Sequence, residues 1–410
     1  MKPTSINKRK IFNDPVYGFI AVPYDIILDL IDHPWFQRLR RIKQLGMSHL
    51  VYPGALHTRF HHAMGAMFLM KEAIDVIRSK GQEITEEEAE AVTIAILLHD
   101  IGHGPFSHAL EHSIAEGIHH EELSLLLMNK LNDEFKGKLS LAIKIFTNKY
   151  KKKFLHQLVS SQLDMDRLDY LKRDSFFTGV SEGVVSSDRI LKMLSVHKDE
   201  LVIEEKGIYS IEKFIVARRL MYWQVYLHKT VVASEFMLVN ILRRAKFLAS
   251  QQKKLFCSPA FERFLYHPIK SKDFKNAAVL NDFAALDDYD IMGAIKVWVS
   301  HEDKILSRLC SDLVNRKLFR ISMSKLQAGP KEKEEIKKNI LKTTGCSKSE
   351  VTYFLVEDSL TNNAYNPKHD KINLIYKDGK TVDIAEASDN FNISALSKPV
   401  KKFVLGYLRY

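Results

Sequence analysis

Histidine residues are concentrated in one part of the sequence, since nine of the 17 lie between residues 57 and 120. Imidazole is the commonest metal ligand in proteins and the natural general acid or base near neutral pH. A single histidine is more often a surface or hydrogen-bonded core residue, but packing alone does not account for a cluster of this density. The region therefore predicts a metal site or an acid–base catalytic site.

The pair His99–Asp100 directly follows Ala91–Leu98, a segment that is apolar nearly all round. A helix of that composition is buried, so both side chains emerge from the core. Burying the carboxylate is costly unless a cation or hydrogen bonds compensate, and a bound metal would do so. The dipeptide alone is weak evidence, because His369–Asp370 has the same letters in a polar run that predicts a solvated loop.

Two more candidates follow from helical periodicity. His62 lies on the apolar stripe of a predicted helix over 59–79, so it faces the core as a metal ligand or as a hydrogen-bonded core histidine. If residues 154–173 form one helix of about 100° per residue, Asp166 falls inside the apolar stripe and Asp164 on the opposite face. An ionised Asp166 in that stripe needs a partner, either a metal or a buried arginine.

The four candidates supply two imidazoles and two carboxylates, from His62, His99, Asp100 and Asp166. Such a mixed nitrogen and oxygen set suits Mn, Fe, Ni, Zn or Mg, and the ligand types do not decide between these metals. A divalent ion held there would polarise a phosphoryl oxygen or lower the pKa of a bound water. The set therefore predicts metal-assisted hydrolysis.

The elements that must position these residues are mostly helices. Thr85 and Glu88 form a capping-box pattern at the start of the apolar helix over 86–99. Helices are predicted at 24–31, 34–44, 59–79, 86–99, 107–115, 119–131, 139–147, 154–173, 187–194, 211–249, 291–318 and 328–340. Strands are predicted as a pair near 201–210, at 350–356, and as a hairpin at 372–376 and 381–384 around an Asp-Gly turn.

The predicted fold is mainly α, an all-helical core with a smaller C-terminal α+β lobe. We expect an extended segment over 1–25, a helical catalytic core over 26–250, a helical extension over 251–345 and the α+β lobe over 346–410. The length of 410 residues suits a large core with an appendage or two to three domains.

Composition excludes several classes of protein. With 46% hydrophobic and 27% charged residues, the chain is neither disordered nor collagen-like nor a coiled-coil rod. Three well-separated cysteines, no apolar leader and no apolar run of membrane-spanning length predict a cytoplasmic protein without a membrane partner. The net charge of +11 favours phosphate-bearing partners but does not choose among them.

The spaced set of His62, His99–Asp100 and Asp166 resembles the HD superfamily of metal-dependent phosphohydrolases. Over about residues 11–240 the sequence is similar to the deoxynucleoside-triphosphate (dNTP) triphosphohydrolases, which release deoxynucleoside and triphosphate. The runs that carry this resemblance are Phe36–Gly46, Tyr52–Gly54, His57–His62, Leu98–His108 and Asp164–Tyr170. The resemblance implies that His62, His99, Asp100 and Asp166 are the metal ligands.

The resemblance also implies roles for neighbouring residues. His120 would protonate the leaving 5′-oxygen, and Glu111, where the family commonly has Asp, would orient it. Arg59, His103 and His108 would surround the phosphates, where cationic or hydrogen-bonding groups stabilise developing charge. The predicted catalytic residues are thus His120, Glu111, His103 and Asp166.

The deoxyribose would be bound by three residues. Gln44 and Tyr170 match residues that line the sugar, and Tyr170 beneath it would leave no room for a 2′-hydroxyl. Asp174 could accept a hydrogen bond from the 3′-hydroxyl. Family members are oligomers, so a homodimer or homotetramer is expected, and Asp32 and Arg40 match positions that hold a regulatory nucleotide. Arg40 could instead pair with Asp32 or with a neighbouring subunit.

Three other functions remain open from sequence. The same metal chemistry could act on a nucleoside monophosphate, a cyclic nucleotide or a signalling nucleotide. The protein could bind single-stranded nucleic acid, since Lys149–Phe154 interleaves lysines with aromatic residues, although an exposed helix start explains that run as well. It could also be a scaffold that has lost catalysis, against which the complete ligand set argues.

Overall fold

An N-terminal β-hairpin precedes the helices and packs on them. The computed structural model describes residues 10–106, 111–115, 117–367, 370–389, 396 and 398–409, without the side chains of 111 and 112. Strands β1 (Ile11–Asp14) and β2 (Gly18–Ala21) pair antiparallel. The carboxylate of Asp14 closes their turn by accepting hydrogen bonds from the backbone N–H groups of Val16 at 2.9 Å and Tyr17 at 3.0 Å.

The helical core follows the hairpin. Its helices are α1 (Asp25–Asp32), α2 (Pro34–Gln37), α3 (Arg59–Ser79), α4 (Glu86–Leu98), α5 (Glu111–Ile114), α6 (His120–Glu134), α7 (Ser140–Phe146), α8 (Lys153–Val159), α9 (Met165–Thr178), α10 (Ser187–Met193), α11 (Ile208–Met221) and α12 (Lys229–Ser250). Helix α4 begins at the predicted capping box, and its residues from Ala91 to Leu98 are all buried. Helix α3 packs against both α4 and α9.

The single helix predicted over 154–173 is wrong, because the chain breaks between α8 and α9. The carboxylate of Asp164 accepts hydrogen bonds from the N–H groups of Ser161 at 2.8 Å and Arg167 at 2.7 Å, which makes it the N-cap of α9. Asp164 is therefore fully buried and does not lie on an outer face. The predicted helix over 34–44 is also shorter, as α2 passes into a 3-10 turn over Arg38–Arg41.

The remaining elements form a helical extension and two small sheets. The helices are α13 (Pro259–Tyr266), α14 (Ala277–Ala285), α15 (Asp288–Trp298), α16 (Lys304–Val314), α17 (Pro330–Thr344) and α18 (Ile384–Ala387). The strands are β3 (Leu194–His197), β4 (Glu200–Glu204), β5 (Arg320–Ser324), β6 (Leu355–Asn362), β7 (Asn373–Ile375), β8 (Thr381–Asp383) and β9 (Val400–Tyr407).

The two sheets join parts of the chain that are distant in sequence. One has the order β3-β4-β7-β8, with β4 and β7 parallel, and the other has the order β5-β9-β6. The predicted β7–β8 hairpin is confirmed. The predicted pair near 201–210 is corrected, because β4 pairs with the preceding β3 while residues from Ile208 begin α11. The strand predicted at 350–356 starts as a 3-10 turn and becomes β6 only at Leu355.

The fold class is confirmed as mainly α with a smaller α+β region towards the C-terminus. The domain boundaries stay predictions, although both sheets cross them, since β5 pairs with β9 and β4 with β7. In the part of the chain described, no single helix is long and apolar enough to cross a membrane. One helix pair bent by 55°, over 205–226 and 229–250, meets that test by length and composition only.

Candidate metal centre and active site

The predicted ligands come from three packed helices. His62 lies in the first turn of α3, His99 and Asp100 directly follow α4, and Asp166 lies in the first turn of α9. Because α3 packs on both α4 and α9, the ends of the three elements converge. Their imidazole and carboxylate groups meet below the surface, with His62 fully buried.

The donor atoms face one point. Nε2 of His62 lies 3.4 Å from Nε2 of His99 and 3.1 Å from Oδ1 of Asp166. The carboxylate of Asp100 lies 3.7 Å from Nε2 of His62 and 3.4 Å from Nε2 of His99. Ligands about 2.0–2.2 Å from a metal are separated from one another by about 3–3.6 Å, so His62, His99 and Asp166 fit a divalent ion, and Asp100 lies at the edge of this set.

Both histidines present Nε2 to this point because each Nδ1 is engaged elsewhere. Nδ1 of His62 lies 2.7 Å from Oδ2 of Asp169, and Nδ1 of His99 lies 2.6 Å from the carbonyl oxygen of Ile96. An acceptor at Nδ1 fixes a proton there and leaves Nε2 as the atom that can bind a metal, which is the usual arrangement of metal-binding histidines. The surroundings therefore fit metal ligation as well as the ligands do.

Neighbouring charges shift the pKa values of the predicted ligands. Burial lowers the pKa of His62, but hydrogen bonds to Asp166 and Asp169 outweigh burial and raise this pKa to about 10. Burial raises the pKa of Asp100, but His99 and Arg59 outweigh it and hold that pKa well below its usual value. The carboxylates are thus ionised at neutral pH, and without a cation they hold a second proton on His62, which a bound metal would displace.

A second group of side chains borders the centre. The carboxylate of Asp100 contacts Nη1 of Arg59 and lies 3.3 Å from Nε2 of His103. His103 stacks on His120, so that Asp100, His103 and His120 form a further compact set of donors. Burial and the charge of Arg59 lower the pKa of His103 well below its usual value, which keeps its imidazole neutral.

The loop that carries His103 is held by the helical extension. The fully buried guanidinium of Arg38 donates to the carbonyls of Ile101 at 2.7 Å and His103 at 2.9 Å, and also to those of Phe283 and Leu286, both at 3.1 Å. Residues beyond position 250 thereby position the loop that follows the predicted metal ligands His99 and Asp100.

Further buried hydrogen bonds link the extension to this loop. The carboxylate of Asp288 accepts from the N–H groups of Lys43 at 3.0 Å and Phe106 at 2.8 Å. Asp288 opens α15, so this helix contacts the chain on both sides of the candidate site.

The residues predicted to bind deoxyribose lie in and near α9. Tyr170 follows Asp166 by one helical turn and meets Tyr226 edge to face with ring centroids 6.2 Å apart. Both oxygens of Asp174 are already engaged, one at 2.7 Å from Nε2 of His57 and the other at 2.8 Å from the hydroxyl of Tyr226. A sugar hydroxyl would therefore join an existing network at Asp174.

Gln44 has an unused acceptor. Its side-chain Oε1 is buried and, among the residues that the structure describes, has no hydrogen-bond partner. The N–H group of Gln44 donates to the carbonyl of His57 at 3.0 Å, which places the residue beside the histidine that contacts Asp174. An orphaned acceptor at this place fits the predicted contact with a ligand hydroxyl.

The two residues predicted to bind a regulatory nucleotide lie on the surface. Asp32 and Arg40 are exposed, and the guanidinium of Arg40 lies 3.5 Å above the ring of Phe60 while its Nε donates to Gln37 at 2.8 Å. Asp32 lies 3.5 Å from Lys10, and its charge also acts on Arg40, because it raises the pKa of that guanidinium against the larger lowering by burial. His108 and the side chain of Glu111 lie outside the described residues.

Several residues around the centre were missed from sequence. Asp169 and Arg173 were not proposed, although their spacing of four on a helix predicts an ion pair. Arg167 and Arg218 flank the same region, with Arg167 bonded to Asp164 and Arg218 donating to Gln162 at 3.0 Å. Tyr226 carries no local signal, since it reaches Asp174 across 52 residues of sequence.

Comparison with known proteins agrees with this geometry. Residues 59–174 match the family model of the HD domain, and residues 185–255 match that of the HD associated region. A solved phosphohydrolase from Bacteroides thetaiotaomicron VPI-5482 is 56% identical to the chain, with a TM-score of 0.95, over 98% of this chain and 100% of that chain. The chain therefore belongs to the HD-domain phosphohydrolases.

Of two further relatives, one has a name that gives no activity and the other has a name that gives one. The uncharacterized protein YwfO of Bacillus subtilis is 34% identical over 400 residues, which are 93% of this chain and 88% of YwfO. A protein of Dictyostelium discoideum named deoxynucleoside triphosphate triphosphohydrolase SAMHD1 homolog is 34% identical over 261 residues. That match covers 59% of this chain and 50% of the Dictyostelium protein.

Proposed function

We propose that this phosphohydrolase cleaves deoxynucleoside triphosphates to deoxynucleosides and triphosphate. The observation that carries the proposal is the convergence of four groups: Nε2 of His62 and of His99 lie 3.4 Å apart, and each lies 3.1–3.7 Å from the carboxylates of Asp100 and Asp166, beside the stacked pair of His103 and His120. Similarity to a relative named for this activity supports the choice of substrate.

The residues have separate parts in the reaction. A divalent metal, when bound by the four ligands, supplies a Lewis acid at the α-phosphoryl group and a more acidic water. Arg59 and His103 stabilise the negative charge that develops on the phosphoryl oxygens. His120 donates a proton to the leaving 5′-oxygen, and Tyr170, one turn from Asp166, contacts the face of the sugar.

The specificity for deoxynucleotides comes from the residues that surround the sugar. Tyr170 excludes a 2′-hydroxyl by contact, while Asp174 accepts from the 3′-hydroxyl, the one free hydroxyl of a dNTP sugar, and Gln44 lines the sugar beside it. The unpartnered Oε1 of Gln44 supports such a contact, because a buried acceptor gains most from a ligand donor.

Product analysis tests this function. The purified protein is incubated with each dNTP and with Mn²⁺ or Mg²⁺, and we expect equal amounts of deoxynucleoside and inorganic triphosphate. Release of orthophosphate from nucleoside monophosphates alone would instead support the alternative of another nucleotide phosphoester. Asp100→Ala should lose both metal and turnover, whereas Asp188→Ala, at a highly exposed position on α10, should keep both.

The proposal extends to assembly and regulation. We expect a homo-oligomer in which a nucleotide binds near Asp32 and Arg40, both of which are exposed in a single chain. Light scattering with and without added guanine nucleotides measures the oligomeric state and its response to the nucleotide, and Arg40→Ala should abolish any response. Binding of single-stranded nucleic acid stays a prediction, which the salt dependence of binding would test.

A further inference from the structure

A fully buried arginine connects the N-terminal hairpin to the candidate metal centre. Nη1 of Arg173 lies 2.7 Å from Oδ2 of Asp14 on β1. On its other side, Nε of Arg173 lies 2.9 Å from Oδ2 of Asp169, and its Nη2 lies 3.0 Å from Oδ1 of the same carboxylate. One guanidinium is therefore shared between two buried carboxylates.

The same carboxylate of Asp169 holds a predicted metal ligand. Its Oδ2 lies 2.7 Å from Nδ1 of His62, so this one oxygen accepts from both His62 and Arg173. Helix α3 makes room for the arrangement at Gly65, where a Cβ atom would lie only 2.0 Å from Oδ1 of Asp169 and 2.1 Å from Nη2 of Arg173. The absence of a side chain at Gly65 thus lets α3 lie directly against the ion cluster of α9.

We propose that Asp14 is a positioning residue of the metal centre, acting through Arg173 and Asp169 on the orientation and basicity of His62. The inference rests on the proposed metal-dependent function. Asp14 and Arg173 contact neither the donor atoms nor the space between them, so their role is to position and not to catalyse.

The net charge of the cluster explains why the carboxylate of Asp14 matters. Arg173 alone would neutralise Asp169 and would compete with His62 for Oδ2. With Asp14 present, the three groups carry a net charge of −1, and the guanidinium is drawn partly towards the hairpin. Asp169 then keeps its strength as an acceptor for the N–H of His62, which makes Nε2 a better metal ligand.

The hairpin also keeps water from the cluster. Tyr17 lies in the turn that Asp14 closes. The Cζ atom of Arg173 lies over the ring of Tyr17, at 5.5 Å from the ring centroid. The ring of Tyr17 packs on Phe68 of α3 at 4.9 Å. Because the cluster is dry, each of its charge-assisted hydrogen bonds is stronger than it would be in water.

The test measures binding of Co²⁺ alone to the metal-free full chain, by titration and by the visible spectrum of the bound ion. Asp14→Asn keeps the shape and the acceptor oxygen that closes the turn but removes the charge. We expect Asp14→Asn to bind Co²⁺ about tenfold more weakly, which is the smallest effect usual for residues that hold a metal ligand in place. The ligand-field absorption band of the bound Co²⁺ should also change. Asn13→Ala, at the exposed neighbouring position of β1, is the matched control and should bind as the wild type does.

A double-mutant cycle tests whether Asp14 affects metal binding through Asp169. If Asp14 acts through Asp169, the effect of Asp14→Asn should vanish in an Asp169→Asn background. An undiminished effect there, or wild-type affinity and spectrum of folded Asp14→Asn, would overturn the positioning role. Failure of the wild type to bind Co²⁺ would overturn the metal-dependent function itself, and the positioning role with it.

A second variant covers the case in which Asp14→Asn does not fold. Arg173→Lys keeps the positive charge but lacks the fork that spans both carboxylates. It should show a similar loss of about tenfold in Co²⁺ affinity while the metal-free protein melts cooperatively. Wild-type affinity of Arg173→Lys would contradict the proposal.

Discussion

The imidazole rings of His103 and His120 stack with their centroids 3.9 Å apart and their planes inclined by 21°. His103 is buried against Asp100 and Arg59 and stays neutral, because its pKa lies well below its usual value. His120 begins α6 and its side chain is 19% exposed. Of the stacked pair, His120 is therefore the member that can exchange a proton with water between turnovers.

Replacement of His120 by Gln should lower kcat for dNTP hydrolysis by about 10²–10⁴-fold, the usual contribution of a general acid. Metal content should not change. A thymidine 5′-phosphoester with a nitrophenolate leaving group needs no proton donor and should be hydrolysed with a smaller loss. His119→Gln, at the adjacent exposed position, is the control. Equal losses with both substrates would assign the proton to another group.

Truncation of Tyr170 to Ala should relax the choice of sugar. The kcat/KM for ribonucleoside triphosphates relative to dNTPs should rise by about tenfold or more, because a steric barrier to the 2′-hydroxyl is removed. Competition between dATP and ATP measures this ratio directly. Tyr209→Ala, at a tyrosine that is 68% exposed on α11, should leave it unchanged. An unchanged ratio for Tyr170→Ala would exclude the steric role.

Replacement of Arg38 by Met should reduce the free energy of unfolding by about 3 kcal/mol or more, since four buried carbonyls lose their donor. Denaturant titration of the metal-free protein measures this change. Arg320→Met, at an exposed position on β5, should cost less than about 0.5 kcal/mol. A small effect at Arg38 would mean that water replaces the guanidinium at these carbonyls.

Glu235 on α12 predicts a pH dependence of stability away from the metal centre. Burial raises the pKa of its carboxyl from 4.5 to about 7. The folded protein therefore binds a proton more tightly than the unfolded chain, so this stabilising contribution is complete below pH 4.5 and is lost as the pH rises through about 7. The loss amounts to about 1–3 kcal/mol.

Glu235→Gln removes this titration. Compared with the wild type, the variant should gain free energy of unfolding between pH 4.5 and 7 and keep the gain above pH 7. Chemical unfolding at several pH values measures the difference. Glu302→Gln, at a side chain that is 76% exposed, should follow the wild type at every pH. A pH-independent difference for Glu235→Gln would place the cause outside this carboxyl.

The sequence by itself determined the helical class and the residues that converge at the candidate metal centre. His99 could be named because it ends a helix that is apolar nearly all round, and His62 because it lies on the apolar stripe of another helix. Asp166 was predicted as a ligand from one continuous helix, but that helix ends at Val159, and the role of Asp166 stays a prediction. The cap at Asp164, and not the angle from Leu155, directs Asp166 towards His62.

Only the tertiary structure decided what surrounds those ligands. Arg173 bridges to Asp14 across 159 residues, and Arg38 reaches Leu286 across 248. Such pairs depend on how whole elements pack, and no local pattern of hydrophobicity or charge encodes their distance. The parallel pairing of β4 with β7 is of the same kind. Residue types and local periodicity therefore predicted the chemistry, while long-range packing decided how each ligand is held.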